Sequence, residues 1–465
     1  MRVIVCGAGR VGSSIARQLA TEGIDVTVID SSPEQARRVD ESYDVRGMVG
    51  YASHPEVLER AGARNADMLI AVTRSDEVNM VACQVAYSLF GVKRRVARLR
   101  HSGYLEQRRR ALYAADQLPI DVIISPEIEV AKGIERRLKV PGAFDTVPLA
   151  DGRVQLLGIH CNTPSCSALE HTLAELPKLL PGGRLVVLAI LRDGRAIVPS
   201  GRDRISLGDD IYIVAETERV GAIMRFFGHE EKVARRVVIV GGGNVGLNLA
   251  KRIVQFSPST TLRIVEHSRE RAEFVSQELG DRAVVLHGDA LDVKTLDEAN
   301  IRAAETIVAV TNDDETNIFA SVLAKREGCA RAITLVNKPN YEPFLPTLGI
   351  DVVVAPNAIT ISSILRHVRH RSVTALHALR EDFGEVIEAT AQEGSKLVSG
   401  DLGKVGLPPG MLIGAIVRGD EVIIPATETV VMPGDRVIAI VTYDDLRKGE
   451  ALLVGPDAAG DKLDG

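Results

Sequence analysis

Arg2-Val3-Ile4-Val5-Cys6-Gly7-Ala8-Gly9-Arg10-Val11-Gly12 opens the chain, and Arg236-Val237-Val238-Ile239-Val240-Gly241-Gly242-Gly243-Asn244-Val245-Gly246 repeats it. Each stretch is a short apolar run, a Gly-x-Gly-x-x-Gly turn and the start of an amphipathic segment. In the first, Val11, Ile15 and Leu19 fall four apart, on one face of a helix. Strand, glycine turn and helix in that order begin a βαβ unit built for a dinucleotide. The first glycine makes the tight turn, the second lets the backbone approach a pyrophosphate, and the third packs the helix on the strand. The phosphate then lies at the helix N-terminus, where unpaired N–H groups and the helix dipole favour an anion.

The repetition runs well beyond the glycines. Ala71-Val72-Thr73-Arg74-Ser75-Asp76-Glu77-Val78-Asn79 returns as Ala309-Val310-Thr311-Asn312-Asp313-Asp314-Glu315-Thr316-Asn317, and Ile120 to Pro126 returns as Ile350 to Pro356. A second, different unit is also duplicated. Ala189-Ile190-Leu191-Arg192 leads to Pro199 and Gly208-Asp209, as Ala415-Ile416-Val417-Arg418 leads to Pro425 and Gly434-Asp435. The chain therefore reads A-B-A-B, a repeat architecture that has to be recognised before any motif is weighed. Unit A alternates short all-apolar strands with amphipathic helices, the pattern of a parallel sheet covered on both faces. Unit B has short alternating strands, Gly-Asp turns and little helix beyond Leu169 to Leu176, and reads as a small α+β domain.

The expected fold is α/β: two tandem Rossmann-like parallel-sheet domains at 1–123 and 232–352, each followed by a small α+β domain at 140–225 and 372–455. Linkers are expected near Lys139-Val140-Pro141-Gly142, near Gly228 to Lys232 and around Arg371, with the last ten residues frayed. The helices Glu127–Leu138 and Ile361–Val368 follow already complete A units. They either cover their own sheet or dock on a neighbouring unit.

Composition narrows the function. At 465 residues several domains are expected. A net charge of −6 gives no electrostatic case for nucleic acid, and no apolar run approaches the span of a bilayer. The N-terminus enters a strand at once, leaving no room for a leader. The five cysteines, an odd number, fit a reducing compartment. His160, Cys161 and Cys166 superficially resemble a metal set, but a fourth ligand is absent and the second B unit lacks all three. The run Arg366 to Arg371 reads as a solvated basic face.

The candidate nucleotide contacts are Gly7, Ala8, Gly9, Arg10, Val11, Gly12, Asp30, Thr73, Arg74 and Arg98 in the first unit. In the second they are Gly241, Gly242, Gly243, Asn244, Val245, Gly246, Glu266, Thr311 and Asn312. Asp30 and Glu266 end the second strands, where a carboxylate hydrogen-bonds ribose hydroxyls and disfavours a 2′-phosphate, so NAD is favoured over NADP. Thr73 and Thr311 are expected beside the adenine or ribose, with Asp76 and Asp314 capping the helices that follow. Arg98, on the expected fifth strand Val96–Arg100, can clamp phosphate oxygens. Its counterpart is Leu335, so the first site reads as complete and the second as partial. Tyr51, opposite Asp289 in the other repeat, adds a further difference. No catalytic set accompanies either site, so a regulatory role is favoured; the alternative is an NAD-dependent oxidoreductase with an unusual substrate domain.

On the glycine loops, Ser53-His54-Pro55, the run Asp67 to Tyr87, Arg98 and Val310 to Glu315, the chain resembles the regulators of potassium conductance. Its tandem order is similar to that of the peripheral subunits of Trk potassium-uptake systems. The resemblance implies a cytoplasmic homo-oligomer (dimer or tetramer), peripheral to the inner face of the cell membrane beneath a potassium-translocating integral membrane subunit of the TrkH/TrkG type. It further implies control of transport by NAD+/NADH and, in some members, ATP or ADP. Regulation of another cation channel or exchanger is the neighbouring alternative.

Overall fold

The computed structural model describes residues 1–106, 111–114, 117–180, 185–368, 373–380 and 383–454. The expected linker around Arg371 and the chain's last ten residues lie outside them.

The first unit runs β1 (Arg2–Cys6), α1 (Arg10–Thr21), β2 (Asp25–Asp30), α2 (Pro33–Ser42), β3 (Arg46–Val49), α3 (Pro55–Arg60), β4 (Met68–Ala71), α4 (Asp76–Phe90), β5 (Arg94–Arg98), α5 (Ser102–Leu105) and β6 (Val122–Ile124). Its strands form one parallel sheet in the order β3-β2-β1-β4-β5-β6. The order reverses between β1 and β4, so a crevice opens beyond their carboxyl ends, where ligands bind in open α/β sheets. The fifth strand ends at Arg98 rather than Arg100. Arg98 is thus the last strand residue, and Arg100 stands beyond the sheet edge.

After α6 (Pro126–Lys139) comes an antiparallel sheet, β10-β9-β11-β8-β7. It is built from β7 (Ala143–Leu149), β8 (Val154–Cys161), α7 (Leu176–Leu179), β9 (Leu185–Arg192), β10 (Arg195–Ile197), β11 (Asp209–Glu216) and α8 (Val220–Phe226). The helix expected over Leu169–Leu176 does not form; helix begins only at Leu176. Its backbone donors are taken elsewhere, Leu173 N–H by the Asp203 carbonyl and Ala174 N–H by that of Gly201, while Glu175 closes a turn onto Thr172. The matched Arg and Asp of the B units are structural. Arg192 pairs with buried Asp209 at 2.7 Å and Arg418 with buried Asp435 at 2.8 Å, each clamping a hairpin.

The second half repeats both sheets. β12 (Arg236–Val240), α9 (Asn244–Phe256), β13 (Thr261–Glu266), α10 (Arg269–Leu279), β14 (Val284–His287), α11 (Val293–Glu298), β15 (Thr306–Ala309), α12 (Asp314–Arg326), β16 (Arg331–Leu335) and β17 (Val352–Val354) give the parallel order β14-β13-β12-β15-β16-β17. After α13 (Pro356–Val368) come β18 (Val373–Arg380), β19 (Gly384–Thr390), α14 (Leu402–Val405), β20 (Met411–Arg418), β21 (Glu421–Ile423), β22 (Arg436–Thr442) and α15 (Leu446–Val454), in the antiparallel order β18-β19-β22-β20-β21.

The helices after the sixth strands are exchanged between the halves. Val130, Ala131, Ile134 and Leu138 of α6 are buried in the core of the second parallel sheet, beside Leu247, Ala250 and Ile264. Reciprocally, Ile364, Leu365 and Val368 of α13 are buried with Val3, Ile15, Leu19 and Val26 of the first. Burying an aliphatic side chain contributes about 1.5–3 kcal/mol, so these stripes are a substantial part of each unit's own core. The two antiparallel sheets share a further core, in which Leu149, Leu188 and Val214 meet Val386, Ala415 and Ile438. His377 on β18 bonds Asp145 on β7 at 2.7 Å, stapling the same junction. Among the described residues no helix is long and apolar enough to cross a membrane.

Candidate functional site

At each reversal point the glycines divide into two kinds. Gly7 lies at φ +108°, and a Cβ there would press on the Thr73 backbone nitrogen at 3.1 Å; a Cβ on Gly12 would overlap the Gly7 carbonyl oxygen. The backbone itself demands those two glycines. Gly9 is different. It has ordinary extended angles, φ −67° and ψ −177°, and an added Cβ would meet nothing within 4 Å. The second copy repeats the division: Gly241 and Gly246 are sterically required, while Gly243 faces open space at φ −61° and ψ −170°. Folding gives no reason for glycine at Gly9 or Gly243, whereas close approach of a ligand does. Neither α1 nor α9 has a side-chain N-cap, so their first N–H groups can receive a phosphate.

Both acids at the ends of the second strands are tied to the glycine loops. Asp30 accepts from Ala8 N–H at 2.6 Å and Ser32 N–H at 2.8 Å, and Glu266 accepts from Gly242 N–H at 2.6 Å and Ser268 N–H at 2.8 Å. Each carboxylate oxygen keeps a lone pair for a ribose hydroxyl.

Across the crevice, Thr73 and Thr311 are fixed by a residue that no motif marks. The fully buried Asn79 accepts from Thr73 N–H at 2.9 Å and Thr73 O–H at 2.7 Å, and donates to the Arg98 carbonyl at 2.8 Å. Asn317 does the same for Thr311 and the Leu335 carbonyl. These asparagines bolt the edge of the fourth strand to that of the fifth. The sequence does carry a signal for them, since both close the matched blocks at one offset. Asp76 and Asp314 do not cap their helices; the caps are Ser75 and Asp313, which accept from Val78 and Thr316 N–H. The aspartates lie one residue inside, buried, and hold the backbone past the fifth strand. Asp76 accepts from Arg100 and His101 N–H, and Asp314 from Asn337 and Lys338 N–H. The equal bonding confirms the pairing of Arg98 with Leu335.

Arg98 combines burial with unfilled hydrogen-bonding capacity. Its Nε is buried without a hydrogen-bond partner, a costly state for a charged group unless a ligand completes it. Burial, reinforced by Arg100 and Arg74, pushes its pKa down to about 10, despite Glu127 and Asp76 nearby. Arg100 and Glu127 approach to 3.5 Å in the same place. Neither is marked as a contact by the sequence, in which the loop register past β5 is not legible. Burial raises the Glu127 carboxyl above its usual range.

The two crevices also touch. Arg10, on the first glycine loop, donates to the Asn337 carbonyl at 3.0 Å and helps line a 360 Å³ cavity with Asn312, Asn337, Lys338 and Asn357 of the second unit. In the second glycine loop Arg271 donates from Nε to the Gly242 carbonyl at 2.8 Å and reaches Asn244 Oδ1 at 3.3 Å. Tyr51 is exposed and Asp289 accepts from Leu291 N–H in its own loop; each follows a glycine, Gly50 or Gly288, whose N–H bonds the carbonyl of the strand-end acid, Asp30 or Glu266. All five cysteines are free and buried.

Comparison with known proteins agrees with this architecture. The TrkA-N domain model matches residues 3–126 and 237–356, and the TrkA-C domain model matches 163–228 and 386–453. The Trk system potassium uptake protein TrkA of Azorhizobium caulinodans is 45% identical over 97% of this chain and 98% of that protein. That of Vibrio alginolyticus is 40% identical over 94% and 95%. Among solved structures, the GsuK RCK domain superposes with a TM-score of 0.59 at 19% identity, covering 97% of this chain and 94% of that one. The NAD-bound GsuK channel gives the same score and identity over 97% and 78%. With both domain types matched twice and relatives alike over nearly their whole length, the chain belongs to the TrkA family of Trk system potassium uptake proteins.

Proposed function

We propose that the chain is a nucleotide-binding regulatory subunit, not an enzyme, that gates a potassium-translocating membrane subunit in response to NAD(H) and to ATP or ADP. The observation that carries this reading is the open space over Gly9 and Gly243. Those loops open α1 and α9, the helices against which α13 and α6 of the opposite halves are docked. A ligand at either loop therefore bears on a helix that leads into a B domain, and shifts the assembly by as much as it prefers one arrangement over another. The NAD bound to the GsuK channel supports the choice of ligand.

The proposed contacts are Gly7 through Gly12, Asp30, Thr73, Arg74 and Arg98 in the first site. In the second they are Gly241 through Gly246, Glu266, Thr311 and Asn312. The chain works as a homo-oligomer at the cytoplasmic face of the membrane. Exposed apolar side chains on α4 and α12, among them Leu89 and Phe319, suit contacts between copies.

The test is co-purification with the membrane subunit, followed by potassium flux in proteoliposomes with and without NADH, NAD+, ATP and ADP. Stoichiometric NADH binding without hydride transfer, and a nucleotide-dependent change in flux, are expected. Steady oxidation or reduction of a substrate, or flux indifferent to every nucleotide, overturns the reading.

A further inference from the structure

The two crevices have the same backbone arrangement and different charge patterns. At the edge beyond the fourth and fifth strands the first unit has Arg74, Arg98, Arg100 and Glu127, close enough to perturb one another. The equivalent positions of the second are Asn312, Leu335, Asn337 and Asn357, the register being fixed by the Asn79/Asn317 and Asp76/Asp314 bonds. Each of those charged groups has a neutral counterpart, and three of the counterparts are carboxamides that line the 360 Å³ cavity, together with the acids Asp313, Asp314 and Glu315, which repel further phosphate charge. Of the cations left there, Lys338 is paired with Glu315 at 2.6 Å, and Arg10 reaches in from the other unit to a backbone carbonyl. The second unit adds, at the opposite pole, a cation with no ion pair among the described residues. Arg271, where the first has Gln35, lies against the glycine loop over the Phe274 ring.

We infer that the sites divide the ligands. The first takes an adenosine polyphosphate, whose charge extends past the glycine loop to Arg74, Arg98 and Arg100. The second takes a dinucleotide whose negative charge ends at the pyrophosphate beside Arg271 and whose far end is the nicotinamide, neutral in NADH, with its hydrogen-bonding carboxamide. Guanidinium groups bind phosphate oxygens as charge-assisted pairs, often bidentate. Asparagine side chains instead offer one acceptor and two donors, the complement of a carboxamide. The second site is thus a complete site of different selectivity rather than a degenerate copy of the first. This rests on both crevices binding nucleotides, as proposed above.

The experiment is equilibrium titration of the full chain with NADH, by fluorescence, and with ATP, by calorimetry. Gly9→Asp closes the first site and Gly243→Asp the second, both in open space where the fold tolerates a side chain. Gly9→Asp is expected to keep NADH at one per chain and to lose ATP affinity by about tenfold or more. Gly243→Asp is expected to keep ATP. Adding Asn312→Arg and Asn337→Arg to Gly9→Asp is expected to restore ATP and weaken NADH. If either glycine variant fails to fold, the exposed-side pair Arg74→Asn and Arg100→Asn makes the same test by weakening ATP alone. ATP binding equally to Gly9→Asp and Gly243→Asp, or a charge swap without effect, overturns the division while leaving nucleotide binding intact. If the wild-type chain binds neither ligand, the underlying reading fails with it.

Discussion

Alanine at each glycine of the first loop separates what the fold needs from what a ligand needs. Gly12→Ala drives a methyl group into the Gly7 carbonyl, and Gly7→Ala asks a side chain to sit at φ +108° while meeting the Thr73 backbone. Both are expected to destabilise the chain by about 1–3 kcal/mol or more, the range for a strained backbone position or an overpacked contact. Gly9→Ala meets nothing within 4 Å and keeps angles that alanine adopts freely. It should leave stability unchanged or raise it by about 0.4–1 kcal/mol through the unfolded chain. Its methyl group occupies the line of approach to the N–H groups of α1. One forfeited hydrogen bond to a charged phosphate is about 1.5–3 kcal/mol, so affinity at this site should fall roughly 10–150-fold. Thermal melting with and without nucleotide reads both quantities from one sample. Gly9→Ala that binds as wild type does, or that unfolds as Gly12→Ala does, refutes the assignment of Gly9 to a ligand.

Three further outcomes follow from the same geometry. Asn79→Ala strands the Thr73 N–H and the Arg98 carbonyl in a buried setting, so a loss of about 2–4 kcal/mol is expected, with weaker nucleotide binding alongside, measured by denaturant melts and titration. Arg98→Gln removes a buried group whose Nε has no partner; the melting temperature should hold or rise while ATP affinity falls about tenfold, and a large loss of stability would contradict a ligand-facing role. Asp145 is buried at full cost, yet Arg137 at 2.6 Å and His377 outweigh that burial and hold its carboxyl well below the usual range. Because its folded pKa is depressed, its stabilisation is present above the ordinary Asp value, about 3.9, and is lost as pH falls through the folded value. Asp145→Asn should therefore cost about 3–5 kcal/mol, by a margin that holds across neutral pH and narrows only below about pH 4, as melting temperatures would record.

The sheet order and the position of the crevices were legible because the glycine turn, the strand-end acids and the repeat are all local signals, reinforced by occurring twice. The motif already divides the glycines, Gly9 for ligand approach and Gly12 for helix packing; the structure adds the physical measure of that division, a Cβ on Gly12 overlapping the Gly7 carbonyl and one on Gly9 meeting nothing within 4 Å. The exchange of α6 and α13 was legible only as one of two alternatives, because an apolar stripe such as Val130, Ile134 and Leu138 specifies that it will be buried and not by what. The helix expected near Leu169 failed for a related reason. The apolar spacing suits a helix, but Thr172 and Glu175 close a side-chain turn and the loop 201–204 takes the backbone donors, competition that no periodicity records. Arg100 and Asn337 became visible as partners only once Asp76 and Asp314 proved to hold the backbone beyond the fifth strand.

The exchanged helices also bear on how one chain could register two ligands. α1 starts at the first glycine loop and packs its Ile15 and Leu19 against α13, which leads into the second B domain; α9 starts at the second loop and packs against α6, which leads into the first. Close-packed interfaces do not deform by degrees, so a shift at a helix N-terminus is passed to the docked helix rather than absorbed. Arg10 adds a direct link, since the residue that follows Gly9 holds the carbonyl of Asn337 at the edge of the other site. Coupling of this kind is an exchange of free energy and must be reciprocal. If ATP at the first site changes the NADH affinity of the second by some factor, NADH must change ATP affinity by the same factor, and at about 1–3 kcal/mol that factor is roughly 5–150. Titrating each nucleotide at saturation of the other measures it twice over. Equal, non-unit factors that collapse toward one when Ile364 and Leu365 of α13 are cut back to alanine would place the coupling in the exchanged helices. Factors that stay near one in the wild-type chain would mean that the two sites act on the membrane partner independently.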